Sequence, residues 1–405
     1  MPDDRPGGLP PAGRFAFLAA LCSSFGQTFY IGLFGADFRA DFGLSESALG
    51  TLYGTATLIS GLSMFWLGAI ADHLSMRRAI AGVMSLLALG CAMIAWSPHA
   101  ALLLAGLFMV RLAGQGLAGH LAVVAAARYS SRRRGRAVAM ASYGFIAGEA
   151  LLPPVVAGLL GWLEWRSVWL LASCAIVFGA LPLLWWLARP LVGRGREVDA
   201  SGTDGFAVIT TRRKLFVHGH FLRTLSVVLV SPLVVTALFL HQGSLAERLG
   251  WSLSQVASGF VLFAAMQALA AFGGGRLVDR FSARALLRVY LLPLGLGVLS
   301  LGVLPPSVSM WVMFAGLGMS AGVNGVVSGA VWVELFGSAR LGMIRGVYAA
   351  LMVLSTAAGP VVLGLLFELA VGLRTIGLVC LAYVLLVPPL LTARLRATTA
   401  PSRGR

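Results

Sequence analysis

The sequence predicts an all-α integral membrane protein of twelve transmembrane helices, in two six-helix bundles related by a pseudo-twofold axis. Three observations predict it: a membrane composition, twelve apolar runs of spanning length, and a repeat matching one half to the other. Of 405 residues, 58% are hydrophobic and only 11% charged, against about 25% charged in soluble domains. Mean hydropathy is +0.87. The net charge of +16 invites a nucleic-acid reading, but the arginines cluster between the apolar runs, where they orient a membrane chain. The expected partners are therefore a lipid bilayer and a small-molecule substrate, with no nucleic acid.

About 20 apolar residues cross the hydrocarbon core as a helix. The first fourteen residues are polar and rich in Pro and Gly, and no cleavable leader is expected there. Runs of spanning length follow at Phe15–Phe34, Ala48–Ala71, Ala79–Trp96, Ala100–Ala127, Ala137–Leu163 and Ser167–Ala188. After a polar break they resume at Thr224–His241, Leu253–Gly275, Leu286–Leu304, Val308–Val333, Gly346–Phe367 and Thr375–Thr392. The ninth is the weakest, because Arg288 lies near its start and Pro293 interrupts it. Prolines 153, 154 and 360 are expected to bend the fifth and eleventh spans. The domain order follows: a tail at 1–14, a bundle at 15–188, a linker at 189–223, a bundle at 224–392 and a tail at 393–405.

An even number of spans puts both termini on one side. Of the 31 Lys and Arg residues, 26 fall in the tails and loops of that side when Arg288, at the very start of the ninth span, is counted with its loop, four fall on the other, and Arg111 alone lies deep inside a span. The positive-inside rule makes the termini cytoplasmic. Trp162, Trp165, Trp169, Trp185 and Trp186 fall near span ends, as an interfacial aromatic belt requires. The four cysteines lie in apolar stretches without metal-ligand spacing, and act as small packing residues. Arg far outnumbers Lys, and Ala, Gly and Leu abound. That usage suggests a GC-rich bacterial genome, and so a bacterial cytoplasmic (inner) membrane.

The halves repeat. Pro154-Val155-Val156-Ala157-Gly158-Leu159-Leu160 recurs 206 residues later as Pro360-Val361-Val362-Leu363-Gly364-Leu365-Leu366. Gly68, Asp72 and Arg77 recur 207 residues later as Gly275, Asp279 and Arg284. Two anchors so far apart with nearly one offset argue for parallel six-helix repeats, an architecture used by transporters.

The loop after the second span reads Gly68-Ala69-Ile70-Ala71-Asp72-His73-Leu74-Ser75-Met76-Arg77-Arg78. It is similar to the signature Gly-x-x-x-Asp-Arg-x-Gly-Arg-(Arg/Lys) of the major facilitator superfamily, which the chain resembles over essentially its whole length. The second copy, Gly275 to Arg284, keeps an Arg after the Asp, at Arg280, and lacks the second Gly. Arg111-Leu112-Ala113-Gly114-Gln115-Gly116 is similar to the family's Arg-x-x-x-Gly-x-Gly, one residue shorter in spacing. The resemblance implies a secondary transporter working by alternating access. It also implies that Gly68, Asp72, Arg77, Arg78, Gly275, Asp279, Arg280 and Arg284 brace helix ends that release when the carrier opens. The alternative for the arginines is simple anchoring of the cytoplasmic side.

Buried charge carries the chemistry. Arg111 sits in an otherwise uncharged span, where a guanidinium costs about 2.5–3.5 kcal/mol even on insertion scales. It persists where water, a counter-charge or a ligand meets it. Glu149, in the fifth span, is a candidate partner whose carboxyl could exchange a proton; the alternative is a structural ion pair. The offset predicts uncharged Gly318 and Ser355 at the equivalent places, so charged recognition concentrates in the first half and favours an anionic group at Arg111. Gln27, Tyr30, Gln115, Tyr143, Gln267 and Asn324 are candidates to line the path, with interhelical hydrogen bonding as the plainer reading.

No phosphate-cradling Gly-x-x-x-x-Gly-Lys-(Ser/Thr) is present, which removes nucleotide hydrolysis as an energy source in this chain. No catalytic or metal-ligating cluster is legible, so no cofactor and no enzyme activity are expected. The expected function is transport of a small organic anion such as a carboxylate by a monomer, a symporter with a co-transported proton. The rival readings are a drug/proton efflux antiporter and a non-transporting membrane sensor. The family's antiporter pattern in the fifth span is replaced by Gly148-Glu149-Ala150-Leu151-Leu152-Pro153-Pro154.

Overall fold

A computed structural model describes residues 11–68, 70–129, 134–191, 215–337 and 341–393, together with Leu395. The tails and most of the linker and of the basic loop after the fourth span lie outside the described residues, as does the side chain of Asp72. Helices are the only regular structure among the described residues.

Ten of the described helices are long and apolar enough to cross a bilayer: Pro11–Gly32, Met76–Ala95, Ala100–Arg128, Gly135–Leu160, Trp165–Leu187, Gly219–Leu240, Leu253–Phe281, Pro306–Phe336, Leu341–Glu368 and Leu373–Thr392. Two more stand where the second and ninth spans were predicted. Glu46–Leu67 runs 22 residues and is capped by Ser45, whose hydroxyl accepts from the Ala48 N–H. Leu292–Val303 has only 12 residues, roughly 18 Å at 1.5 Å per residue. The predicted ninth span is therefore broken, into Ala283–Leu286 and Leu292–Val303. Pro293 has no N–H to continue a helix from the residues before it and sits instead in the first turn of the new one.

Other spans are interrupted too. The first breaks at Gln27, which is extended (φ −84°, ψ 154°) between the turn Ser24–Gly26 and the helix Thr28–Gly32. The seventh pauses at Leu229, between Gly219–Val228 and Val230–Leu240. Pro232 explains that pause, since the Val228 carbonyl finds no N–H four residues on. By contrast Pro153, Pro154 and Pro360 lie inside the uninterrupted helices Arg134–Leu160 and Leu341–Glu368.

Contacts group the chain into two compact units that cross the division into halves. Thr236–Val261 and Pro360–Glu368 belong with the first half, and the remainder of the second half forms the other unit. Within the first unit, Tyr30, Phe34, Phe38, Trp165 and Trp169 form one aromatic cluster, with Trp169 fully buried against Tyr30 and Phe34. This corrects the belt assignment for Trp165 and Trp169, which are core residues. Trp162, Trp185 and Trp186 are exposed. Cys22 and Cys91 are buried, Cys380 is half-buried and Cys174 is exposed.

Candidate functional site

The fourth span does not run as one α-helix. Ala100–Val110 passes into a π-helical stretch, Arg111–Ala118, before Gly119–Arg128 resumes. Wide π turns cost backbone geometry and recur at functional sites; this one begins at the basic residue predicted deep inside the fourth span. The first span approaches it closely. A Cβ on Gly26 would collide with the Val110 carbonyl and meet Gln115 N and Gly114 Cα at 2.9 Å, so only glycine fits.

Arg111 is 2% exposed. Its Nε donates to Thr57 Oγ1 at 3.1 Å and its Nη1 to the Gly26 carbonyl at 3.1 Å. The guanidinium carbon lies 4.9 Å from the centre of the Tyr53 ring, and the Tyr53 hydroxyl is 2.5 Å from Thr28 Oγ1. Residues from the first, second and fourth spans thus converge on one buried cation. One sequence expectation is corrected here: Arg111 is buried in this conformation, where a side chain facing a wet crevice was expected. A carbonyl, a hydroxyl and a π face meet the charge, and the break at Gln27 places that carbonyl beside it.

The other predicted path residues separate. Tyr30 is 1% exposed, edge-on to Phe25, Phe34 and Trp169; it is a core side chain, which corrects its assignment to the path. Gln27 and Gln115 are half-buried near Arg111, on the break and the π turn. Glu149 is half-buried and Tyr143 is 57% exposed, both on Arg134–Leu160. In the second unit Gln267 is half-buried.

Asn324 has specific company. Its Oδ1 lies 3.0 Å from the Tyr290 hydroxyl, which is also 3.1 Å from the Val227 carbonyl. Tyr383 donates to the Ser226 carbonyl at 2.8 Å, and Ser355 to the Leu229 carbonyl at 2.9 Å. Three hydroxyls therefore serve carbonyls around the pause in the seventh span. Ser320 does the same for the ninth, donating to the Tyr290 carbonyl and accepting from Leu294 N, both at 3.0 Å. Broken helices at membrane depth persist where side chains re-satisfy the freed backbone.

In the signature loops, Arg77 lies over the Trp185 ring at 3.7 Å, and Gly68 ends the second span's helix. Arg78, Asp279 and Arg280 are exposed, and Gly275 is half-buried. Arg284 Nε is 3.4 Å from Glu334, which also accepts from the N–H groups of Ala283 and Arg284 at 2.7 and 3.2 Å. Glu334, at the end of the tenth span, is thus the acidic contact of Arg284 in the second copy, while Asp279 is exposed.

One charged cluster was not anticipated. At the start of the helix Glu46–Leu67, Glu46 is 8% exposed. It accepts from Arg39 at 2.5 Å and Ser244 at 2.8 Å, with His241 Nδ1 at 3.1 Å. His241 Nε2 is 2.9 Å from the Pro360 carbonyl. Glu46 stands two residues ahead of the predicted second span. Burial pushes its carboxyl up, but the His241 and Ser244 hydrogen bonds and the Arg39 charge outweigh that, so the group ionises below its ordinary range. The sequence signal was slight: one Glu among few acids, at a span boundary.

Among the described residues, no three His, Cys, Asp or Glu side chains converge as metal ligands. The profile of the Major Facilitator Superfamily matches residues 16–242 and 234–405. No curated protein matches in sequence. Similar solved structures include a bacterial homologue of the human lysosomal transporter Spinster, inward-facing and unoccupied (16% identity, TM-score 0.73, 96% of this chain and 98% of that one). The nucleoside transporter NupG gives 11% identity and a TM-score of 0.69 over 94% of this chain and 98% of that one. The inward-open xylose transporter XylE from E. coli gives 17%, 0.70, and 96% of each chain.

Proposed function

Because the chain belongs to the Major Facilitator Superfamily and is a multi-pass membrane transporter, we propose that it carries a small organic anion, such as a carboxylate, by alternating access. The observation that carries this reading is Arg111. A permanently charged guanidinium, buried and with its Nε and Nη1 on neutral acceptors among the described residues, gains an ionic partner when an anion arrives. Its desolvation is met in the empty state by the Gly26 carbonyl, Thr57 and the Tyr53 face, so the site stays folded while awaiting its ligand. A carboxylate or phosphonate fits the planar fork bidentately. Gln27 and Gln115, on the break and the π turn beside it, supply neutral donors. A co-transported proton would offset the anion's charge, which makes symport the natural coupling. The distribution of basic residues supports cytoplasmic termini in a bacterial inner membrane, and the transporter is taken to act as a monomer.

A second reading has its own observation. The second unit gathers Tyr290, Asn324 and Tyr383, all uncharged, at two helix breaks, a set suited to hydroxyl-bearing neutral solutes. Proteoliposomes on a solid-supported membrane, screened with organic anions, sugars and nucleosides with and without a pH gradient, separate the two. Currents for anions that vanish in Arg111→Met support the first reading. Responses confined to neutral solutes, or to cationic drugs and unaffected by that change, overturn it and favour a polyol carrier or an efflux antiporter. Binding without any accumulation points to a sensor.

A further inference from the structure

We infer that Glu46 and His241 form a proton-binding latch, which holds the helix ends away from the termini together when loaded and opens when its proton leaves. The inference rests on the alternating-access reading but concerns a site remote from Arg111. It follows from counting donors and acceptors around one imidazole.

His241 is 1% exposed. Its Nε2 faces the Pro360 carbonyl at 2.9 Å, and a carbonyl only accepts, so Nε2 carries a hydrogen. Its Nδ1 faces Glu46 Oε2 at 3.1 Å. That oxygen also accepts from Ser244 at 2.8 Å, while Oε1 takes the Arg39 bond at 2.5 Å. For Nδ1 and Oε2 to bond, a hydrogen must lie between them. It belongs to an imidazolium beside a carboxylate or to a neutral imidazole beside a carboxylic acid; the pair holds the same number of protons either way. Remove one proton and the neutral ring keeps a single N–H, so one ring nitrogen turns a lone pair on an oxygen, either Glu46 Oε2 or the Pro360 carbonyl, and one of the two buried contacts is lost. The closed arrangement and the extra proton therefore require each other.

The latch ties three stretches of one compact unit: the start of Glu46–Leu67, the helix Gln242–Leu249 with His241 before it, and the last turns of Leu341–Glu368. Backbones approach closely there, since a Cβ on Gly50 would meet the Pro360 carbonyl at 2.6 Å and one on Gly364 the Glu46 carbonyl at 2.6 Å. The charged groups facing the pair are Arg39, which also meets Glu247 at 3.0 Å, Arg248 at 4.0 Å from Glu46, and Glu368, which accepts from Ser47 N at 2.9 Å. When the helices part and water reaches His241, the proton leaves to the solvent on the side away from the termini. Each closing from that side takes one up. A carrier built so admits one proton per cycle where it also admits solute.

The test needs no substrate. Spin labels at Ala40→Cys and Ser254→Cys, exposed positions on the helices Gly35–Phe42 and Leu253–Phe281, are introduced after the native cysteines are replaced. Electron double-resonance distances are then recorded in nanodiscs at pH 5.5, 7 and 8.5. A one-proton latch shifts the ratio of long to short distances by up to about tenfold per pH unit. His241→Gln, which can still bond both partners, should abolish that dependence. Glu46→Gln should abolish it too and favour the long distance. Thermal unfolding verifies that the variants fold. A ratio unchanged with pH in the parent protein, or one titrating equally in His241→Gln, overturns the latch. Absence of anion transport alongside a titrating latch would instead sink the substrate reading and leave this one standing.

Discussion

Replacing Arg111 by Met separates a binding charge from a structural one. Met keeps a long flexible chain and removes the cation. In the folded protein the change deletes the bonds to Thr57 Oγ1 and the Gly26 carbonyl but also removes the burial cost of a guanidinium. Exchanging a buried ion for an apolar residue is often close to neutral. The acceptors of Nε and Nη1, Thr57 and the Gly26 carbonyl, are neutral, so neither is left as an uncompensated charge. Stability is therefore expected to move by no more than about 1–2 kcal/mol in either direction. Binding is different. Truncating one member of a buried, hydrogen-bonded charge pair costs about 2–5 kcal/mol, so the anion's affinity should fall by roughly 30-fold or more. The assay pairs thermal unfolding in detergent with anion-evoked currents in proteoliposomes. Arg111→Lys, which keeps the charge and loses the fork, should fall between. Undiminished anion currents in Arg111→Met would refute the assignment; loss of current with wholesale unfolding would show Arg111 to be a structural strut.

Gly26→Val should prevent the first span from packing on the π turn, because its Cβ would strike the Val110 carbonyl; a large fall in unfolding temperature is expected, while unchanged stability would contradict the close crossing. Tyr290→Phe removes the hydroxyl beside the Val227 carbonyl and Asn324 and should cost about 1–3 kcal/mol, seen as faster amide exchange around residues 226–230; unaltered exchange would rule out the brace. Glu334→Gln weakens the cap on Ala283 and Arg284 and a partly exposed ion pair, so only about 0.5–2 kcal/mol should be lost, measured by thermal melts with Ser328→Ala as a neutral comparison. Because Glu46 ionises below its ordinary range when folded, its contribution is present above the unfolded value, about 4.3, and is lost as pH falls through the folded one. An acid titration of unfolding should accordingly lose part of its slope in Glu46→Gln, and identical slopes would contradict that carboxylate's role.

The membrane class, the apolar segments, the repeat and the family are all legible without coordinates. Each is written in composition or in periodic spacing, which a bilayer of fixed thickness reads directly. Arg111 is legible in the same way, since one guanidinium within apolar residues needs no neighbours to be conspicuous. What surrounds such residues emerges only on folding. Thr57, Tyr53 and the Gly26 carbonyl reach Arg111 across 54, 58 and 85 positions of chain, and none is unusual where it stands. Tyr30 and Trp169 look like path or interface residues until helices from either end of the first half press them into one core. His241 and Glu46 lie 195 residues apart. Their shared proton exists only because folding sets two acceptors against one ring. Local patterns fix where helices form; partners are a property of packing, and packing chose neutral acceptors for the cation and an imidazole for the acid.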